Sequence, residues 1–182
     1  MKRIAIAVGL MMLLFAVVAQ AQTPAPKPGP EHKKLEIWIG DWTWEELYSA
    51  TPFGPAGKAS GRSTAKWILG GFFVEFRVEW KGTAGPMQAI EIDGYDPVTK
   101  KYTWNNFASD GGVQAFTYAI EGNTVSYSGT QVIGGKQVKA RGTITFAPDF
   151  MSNVEKREIS IDGKAWMPAL EVKATKVKSS PK

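Results

Sequence analysis

The sequence predicts an all-β protein: one antiparallel up-and-down barrel of about ten strands, with a short helix ahead of it. Segments of alternating apolar and polar residues recur from Asp41 to Val177. Clusters rich in glycine, aspartate and asparagine separate most of them. Past Gly40 no stretch returns to helical spacing.

The helix comes first. Pro30 suits a first helical position and Glu31 the positive end of the helix dipole. Leu35, Trp38 and Ile39 recur at helical spacing, and Gly40 supplies a stop. About two turns cannot stand alone, so the apolar stripe must pack on something larger.

From Asp41 the period is two. In the run from Phe72 to Lys81, Phe72, Val74, Phe76, Val78 and Trp80 share one face. Glu75, Arg77, Glu79 and Lys81 share the other, with Phe73 the exception. Ten such strands are predicted, at 41–50, 58–69, 72–81, 87–95, 101–108, 113–120, 124–132, 136–147, 153–162 and 165–177. Gly70-Gly71, Gly134-Gly135 and Asp162-Gly163 read as two-residue hairpin turns. Asp96-Pro97 suits a type I turn, and Asp110-Gly111-Gly112 and Glu121-Gly122-Asn123 complete the punctuation. Pro168 removes a ladder hydrogen bond and predicts a bulge or an edge. Strands twist by roughly 20–25° each, so a ten-stranded meander curls. Closure removes both edges and leaves a cavity at this strand number. A twisted sandwich is the competing architecture.

The N-terminus reads as an export signal. Lys2-Arg3 precede the apolar run Ile4 to Val18, and Ala19-Gln20-Ala21 fits a small-x-small cleavage site. The run of 15 residues is short of the ~20 that span a bilayer. The expected mature chain begins at Gln22, holds no integral membrane segment, and is periplasmic or extracellular. No cysteine at the cleavage site means no lipid anchor. Residues 22–29 read as a Pro-rich linker, 30–178 as one barrel domain and 179–182 as a flexible tail.

Composition removes several chemistries. Without cysteine there is no disulfide, zinc-thiolate site, iron–sulfur cluster or thiol nucleophile. A single histidine excludes a histidine-rich metal site, and neither a metal nor a cofactor is expected. His32 would have to serve any Ser-His-Asp triad, but it sits beside Lys33 and Lys34 ahead of the barrel. It reads as a solvated or helix-packing histidine. The formal charge is +5 and the end of the chain carries Lys173, Lys176, Lys178 and Lys182. That tail lacks arginine and aromatic residues, so nucleic acid is not an expected partner. No phosphate loop or dinucleotide fingerprint is present.

Several stretches together resemble a known family. Pro30-Glu31-His32, Leu35 and Trp38 lead into Gly40-Asp41-Trp42; Leu69-Gly70-Gly71-Phe72-Phe73 and Gly94-Tyr95-Asp96-Pro97-Val98-Thr99-Lys100-Lys101-Tyr102 follow. Their order and spacing resemble the secreted bacterial family of domain of unknown function 1579, over residues 30–177. The resemblance implies a secreted barrel and no particular reaction. Gly40-Asp41-Trp42 is also similar to the Gly-x-Trp opening of lipocalin-like barrels. The similar nitrobindin-like barrels hold haem through a histidine near the C-terminus; Ala169 to Val177 contains none, so haem ligation is not implied.

Distance separates the carboxylate pairs. Glu75 and Glu79 lie ~13 Å apart along their strand, too far for a two-carboxylate hydrolysis site. Glu91 and Asp93 lie ~6.6 Å apart, within range, and read most simply as a solvated outer face. Aromatics give the stronger signal, with tryptophan at 38, 42, 44, 67, 80, 104 and 166. Indoles line apolar cavities well and still donate one hydrogen bond. Arg77, Arg141 and Arg157 each sit within an alternating segment. An interior arginine would hold an anionic head group by a bidentate contact.

The leading functional expectation is non-covalent binding of a small hydrophobic or amphipathic ligand. Trp42, Trp44, Phe76, Trp80, Trp104 and Tyr118 are expected to line the cavity, with Arg141 orienting a polar head. An enzyme using carboxylate, tyrosine or arginine groups in that cavity is one alternative. A cell-envelope interaction module with a filled barrel is another.

Overall fold

The fold is described from a computed structural model. Residues 25–83 and 85–178 are described; the expected signal peptide and the tail 179–182 lie outside them. A short helix α1 (Pro30–Lys33) runs into a 3₁₀ turn (Lys34–Trp38). Ten strands follow: β1 (Gly40–Tyr48), β2 (Gly57–Ile68), β3 (Phe73–Gly82), β4 (Gly85–Asp96), β5 (Lys101–Ala108), β6 (Val113–Glu121), β7 (Thr124–Ile133), β8 (Lys136–Phe146), β9 (Ser152–Ser160) and β10 (Met167–Lys176). Among the described residues no helix is long and apolar enough to cross a membrane.

Each strand pairs antiparallel with its chain neighbours, and β1 closes the ring by pairing with β10 from Trp42↔Lys176 to Tyr48↔Leu170. The sandwich alternative is thereby excluded. Pro168 does mark an irregularity, because the β9–β10 register shifts between Pro168 and Leu170. Gly134 and Gly135 form a two-residue turn with φ of +55° and +74°, the conformation that only glycine adopts without strain. Two other predicted hairpin turns are longer. Leu69–Gly71 form a 3₁₀ turn and Phe72 follows before the Ile68↔Phe73 pair. After Ser160, the Asp162 carboxylate accepts from the N–H groups of Lys164 and Ala165, holding a wider loop before Met167.

The two ends of the barrel differ. At one end the N-terminal segment acts as a plug, with Leu35 and Trp38 buried. Trp38 meets Phe76 and Phe146 edge-on, and Trp42 Nε1 donates to the Trp38 carbonyl at 2.8 Å. Tyr102 donates its hydroxyl to the Glu31 carboxylate at 2.8 Å, tying α1 to β5. His32 is a helix-packing residue: its Nδ1 accepts from the Gly29 N–H at 3.1 Å and its ring stands edge-on to Phe72 and Tyr95. Phe73, the exception to the alternation, lies outside against Gly94, where a Cβ would fall 2.5 Å from the ring. The segments that carried the family resemblance therefore converge on this plugged end.

Leu35 is fully buried at the base of the core. Leu35→Ala is expected to cost about 2–5 kcal/mol, read as a lower urea midpoint. An unchanged midpoint would show that the segment does not close the barrel.

Candidate functional site

Strand parity decides which side chains enter the barrel. Phe76 faces inward on β3, and its cross-strand partner on β4 is Glu91, so Glu91 faces inward too. Asp93 follows two residues later, opposite Trp104 on β5. The solvated outer face expected for Glu91 and Asp93 is therefore incorrect. Ile90 and Ile92 occupy that outer face instead.

The interior holds a cavity of about 770 Å³ running from the Trp38 plug to the opposite end, where Phe53, Asp110, Val113 and Ile133 stand at the mouth. Trp42, Trp44, Phe76, Trp80, Trp104 and Tyr118 all contribute to its wall. Inward glycines make room for the rings. A Cβ at Gly61 would strike Trp44, one at Gly129 would meet Phe116 at 2.8 Å, and one at Gly142 would strike the Tyr127 hydroxyl. A wider depression of about 990 Å³ lies open on the outer wall, where the exposed pair Arg62–Glu79 sits.

Arg141 is not in the cavity. It points outward, pairs with Glu158 at 2.8 Å and covers the Trp166 ring, its guanidinium carbon 4.1 Å from the ring centre. The expected role in orienting a head group falls with that placement. The interior arginine is Arg157, one residue across the register: Arg141 lies opposite Glu158, whereas Gly142 lies opposite Arg157. Arg77 also points outward and pairs with Glu75.

Arg157 is fully engaged. Its Nη2 donates to Glu155 at 2.8 Å, its Nε to the Tyr127 hydroxyl at 2.9 Å and its Nη1 to Gln131 at 3.2 Å. Tyr127 donates in turn to Glu155. The guanidinium also lies 5.4–5.6 Å from the ring centres of Phe116, Trp104 and Tyr127. A buried charge with every nitrogen bonded and an anion at contact is a closed unit. Its partners raise the guanidinium pKa, so Arg157 stays charged.

The other carboxyls are less well supplied. Asn106 Nδ2 donates to Glu91 at 2.8 Å, Tyr118 donates to Asp93 Oδ2 at 2.6 Å, and Tyr48 donates to Glu46 at 2.7 Å. Asp93 Oδ1 is buried without a partner, as are the indole N–H groups of Trp38 and Trp104. Burial pushes the Glu91 carboxyl up to about 7, with the Asn106 bond opposing the shift. Burial likewise holds Asp93 well above the usual carboxylate range, and the nearby Glu91 adds to the effect. Glu46 is raised for the same reason.

The sequence profile of the DUF1579 family, proteins of unknown function, matches residues 27–176. The chain belongs to that family. Among curated proteins none matches. Solved structures share the fold of this DUF1579 protein. Rv2717c from M. tuberculosis superimposes with a TM-score of 0.59 at 11% identity, over 82% of this chain and 99% of that one. The S-type phycobiliprotein lyase CPES from Guillardia theta gives 0.51 at 12% identity, over 82% and 94%. At such identities the likeness shows a lipocalin-like barrel and nothing of its contents.

The raised carboxyls make a prediction about the empty barrel. A carboxyl whose folded pKa lies above its unfolded value binds its proton more tightly when folded. Its contribution is fully present below the unfolded value near 4.5 and is lost as pH rises through about 7 for Glu91. Glu91→Gln is expected to raise the melting temperature at pH 8 and to leave it nearly unchanged at pH 4. Equal effects at both pH values would show that Glu91 is not desolvated.

Proposed function

We propose that this protein binds a small amphipathic molecule non-covalently inside the barrel. The observation that carries this reading is the cavity itself. A closed sheet, plugged at one end, keeps about 770 Å³ between its walls, within the ~300–1,000 Å³ typical of ligand sites. Indole and phenyl rings supply apolar contact, and a few polar groups supply orientation. The lipocalin-like neighbours support the reading at the level of architecture. A filled barrel acting only as an interaction module gains no support from a cavity of this size.

The polar groups inside also bear on the catalytic alternative. Glu91, held near neutrality beside a cavity, has the acidity of a general acid or base. Binding and catalysis would share the same walls, so the binding test comes first.

Trp80→Ala and Trp104→Ala should each weaken an uncharged fluorescent probe such as N-phenyl-1-naphthylamine by about tenfold, equivalent to ~1.4 kcal/mol. Fluorescence titration reads the change. Unchanged affinity in both variants would place binding elsewhere. We propose further that the protein works outside the cytoplasm, on the strength of Lys2-Arg3, the apolar run and Ala19-Gln20-Ala21. The intact mass of the protein from its own host should then correspond to a chain starting at Gln22. A mass retaining Met1 would refute export by cleavage.

A further inference from the structure

We propose that Glu91 and Asp93 form the head-group subsite of the cavity and take the protonated nitrogen of a basic amphiphile. The inference rests on the reading of the cavity as a ligand site and goes beyond it by naming the ligand's charge.

Parity on β4 brings both carboxyls to the same wall, ~6.6 Å apart along the strand. Neither has a cationic partner. Among the described residues that line the cavity the sole cation is Arg157, and it is committed to Glu155, Tyr127 and Gln131. Glu155 takes that guanidinium, and Glu46, Glu91 and Asp93, which line the same cavity, have no cation at hydrogen-bond distance. The site is acidic in surplus, the opposite of a pocket built around an arginine for a carboxylate.

The second observation is an unmade bond. Asp93 is buried, with Oδ2 occupied by the Tyr118 hydroxyl and Oδ1 without any donor. A buried acceptor left so costs the folded protein about 1–3 kcal/mol. Oδ1 is covered as the side chain stands, so a ligand donor removes that cost once the Asp93 carboxyl turns toward the cavity it lines. Trp104 lies directly across the ladder from Asp93, and Phe76 directly across from Glu91, so aromatic rings border both carboxyls. Rings beside an acid are the usual surroundings of a bound ammonium group.

A hydroxyl would also satisfy Asp93 Oδ1. It would leave the acidic surplus as it stands. Empty, the two carboxyls favour their protonated forms because burial opposes ionisation. An ammonium replaces a proton there and leaves the carboxylate paired. The excess of carboxyls over cations therefore favours an amine over an alcohol and ranks a carboxylate last.

Decylamine, decanol and decanoate, alike in chain and different in head, test this by displacement of a bound fluorescent probe at pH 7.5. The amine should bind at least tenfold tighter than the alcohol, and the carboxylate weakest. The near-isosteric Asp93→Asn and Glu91→Gln should each cut amine affinity about tenfold and leave alcohol affinity within twofold. Both remove a buried ionisable group, and a thermal melt confirms that they fold. Equal affinity for all three heads, or preference for decanoate, overturns the acidic subsite while the cavity reading stands. If the probe itself does not bind, the cavity reading fails and the subsite with it. The three-probe ranking on the unaltered protein decides the matter even where a variant does not fold.

Discussion

Everything in this molecule depends on the β1–β10 ladder. Without it the ten strands would form an open sheet with two hydrogen-bonding edges and no inside. Once the ladder closes, strand parity assigns every side chain to the wall or the hollow, and a residue can change sides only by a change of register. The bulge near Pro168 lies in the β9–β10 pairing that adjoins this seam. Closure also leaves two mouths to manage, and the Leu35–Trp38 segment manages one of them.

The interior combines two kinds of material. Aromatic rings fill the plugged half, where Trp38, Phe76, Phe146 and Trp42 touch one another edge-on. Along the rest of the cavity three tyrosine hydroxyls serve carboxyls: Tyr48 on Glu46, Tyr118 on Asp93, Tyr127 on Glu155. Tyrosine suits this boundary because its ring adds to the apolar contact while its tip serves a carboxyl. The inward glycines are the complement of these rings. Gly142 exists as a gap for the Tyr127 hydroxyl, and Gly61 as a gap for Trp44.

The architecture was legible because alternation and turn chemistry agree along most of the chain. All ten strands fall within about two residues of where period and punctuation put them. Six of the seven residues expected at the cavity are there, since large aromatics on an alternating face belong inside. The misreadings arise where local hydropathy and strand parity part. On β4 the isoleucines alternate with Glu91 and Asp93, so the rule that apolar residues face inward turns that strand inside out. Counting back from the Gly82↔Gly85 pair would have set Glu91 against Phe76 and corrected it. On β8 the alternation of Val138, Ala140, Ile144 and Phe146 already marks the inward face and puts Arg141 outside, although the local stretch sets it against only Ala140 and Gly142; on β9 both faces carry charge, so hydropathy does not single out Arg157. The signal there was Gly142, a missing side chain opposite an arginine and beside Tyr127. The lengths of the loops at 69–72 and 161–166 depend on capping bonds that a dipeptide does not reveal.

The stretches that made this chain resemble its relatives sit around the stopper, far from the open rim. They specify how the vessel is sealed. The lining of the cavity is written in a different set of positions, on strand interiors and the loops of the far end. Two chains can therefore share every signature of the seal and differ in the walls of the cavity. Sorting sequences by the charge and size of residues at positions 91, 93, 104 and 157 would group them by the character of the hollow, whereas sorting by the Gly-Tyr-Asp-Pro turn would group them only by construction.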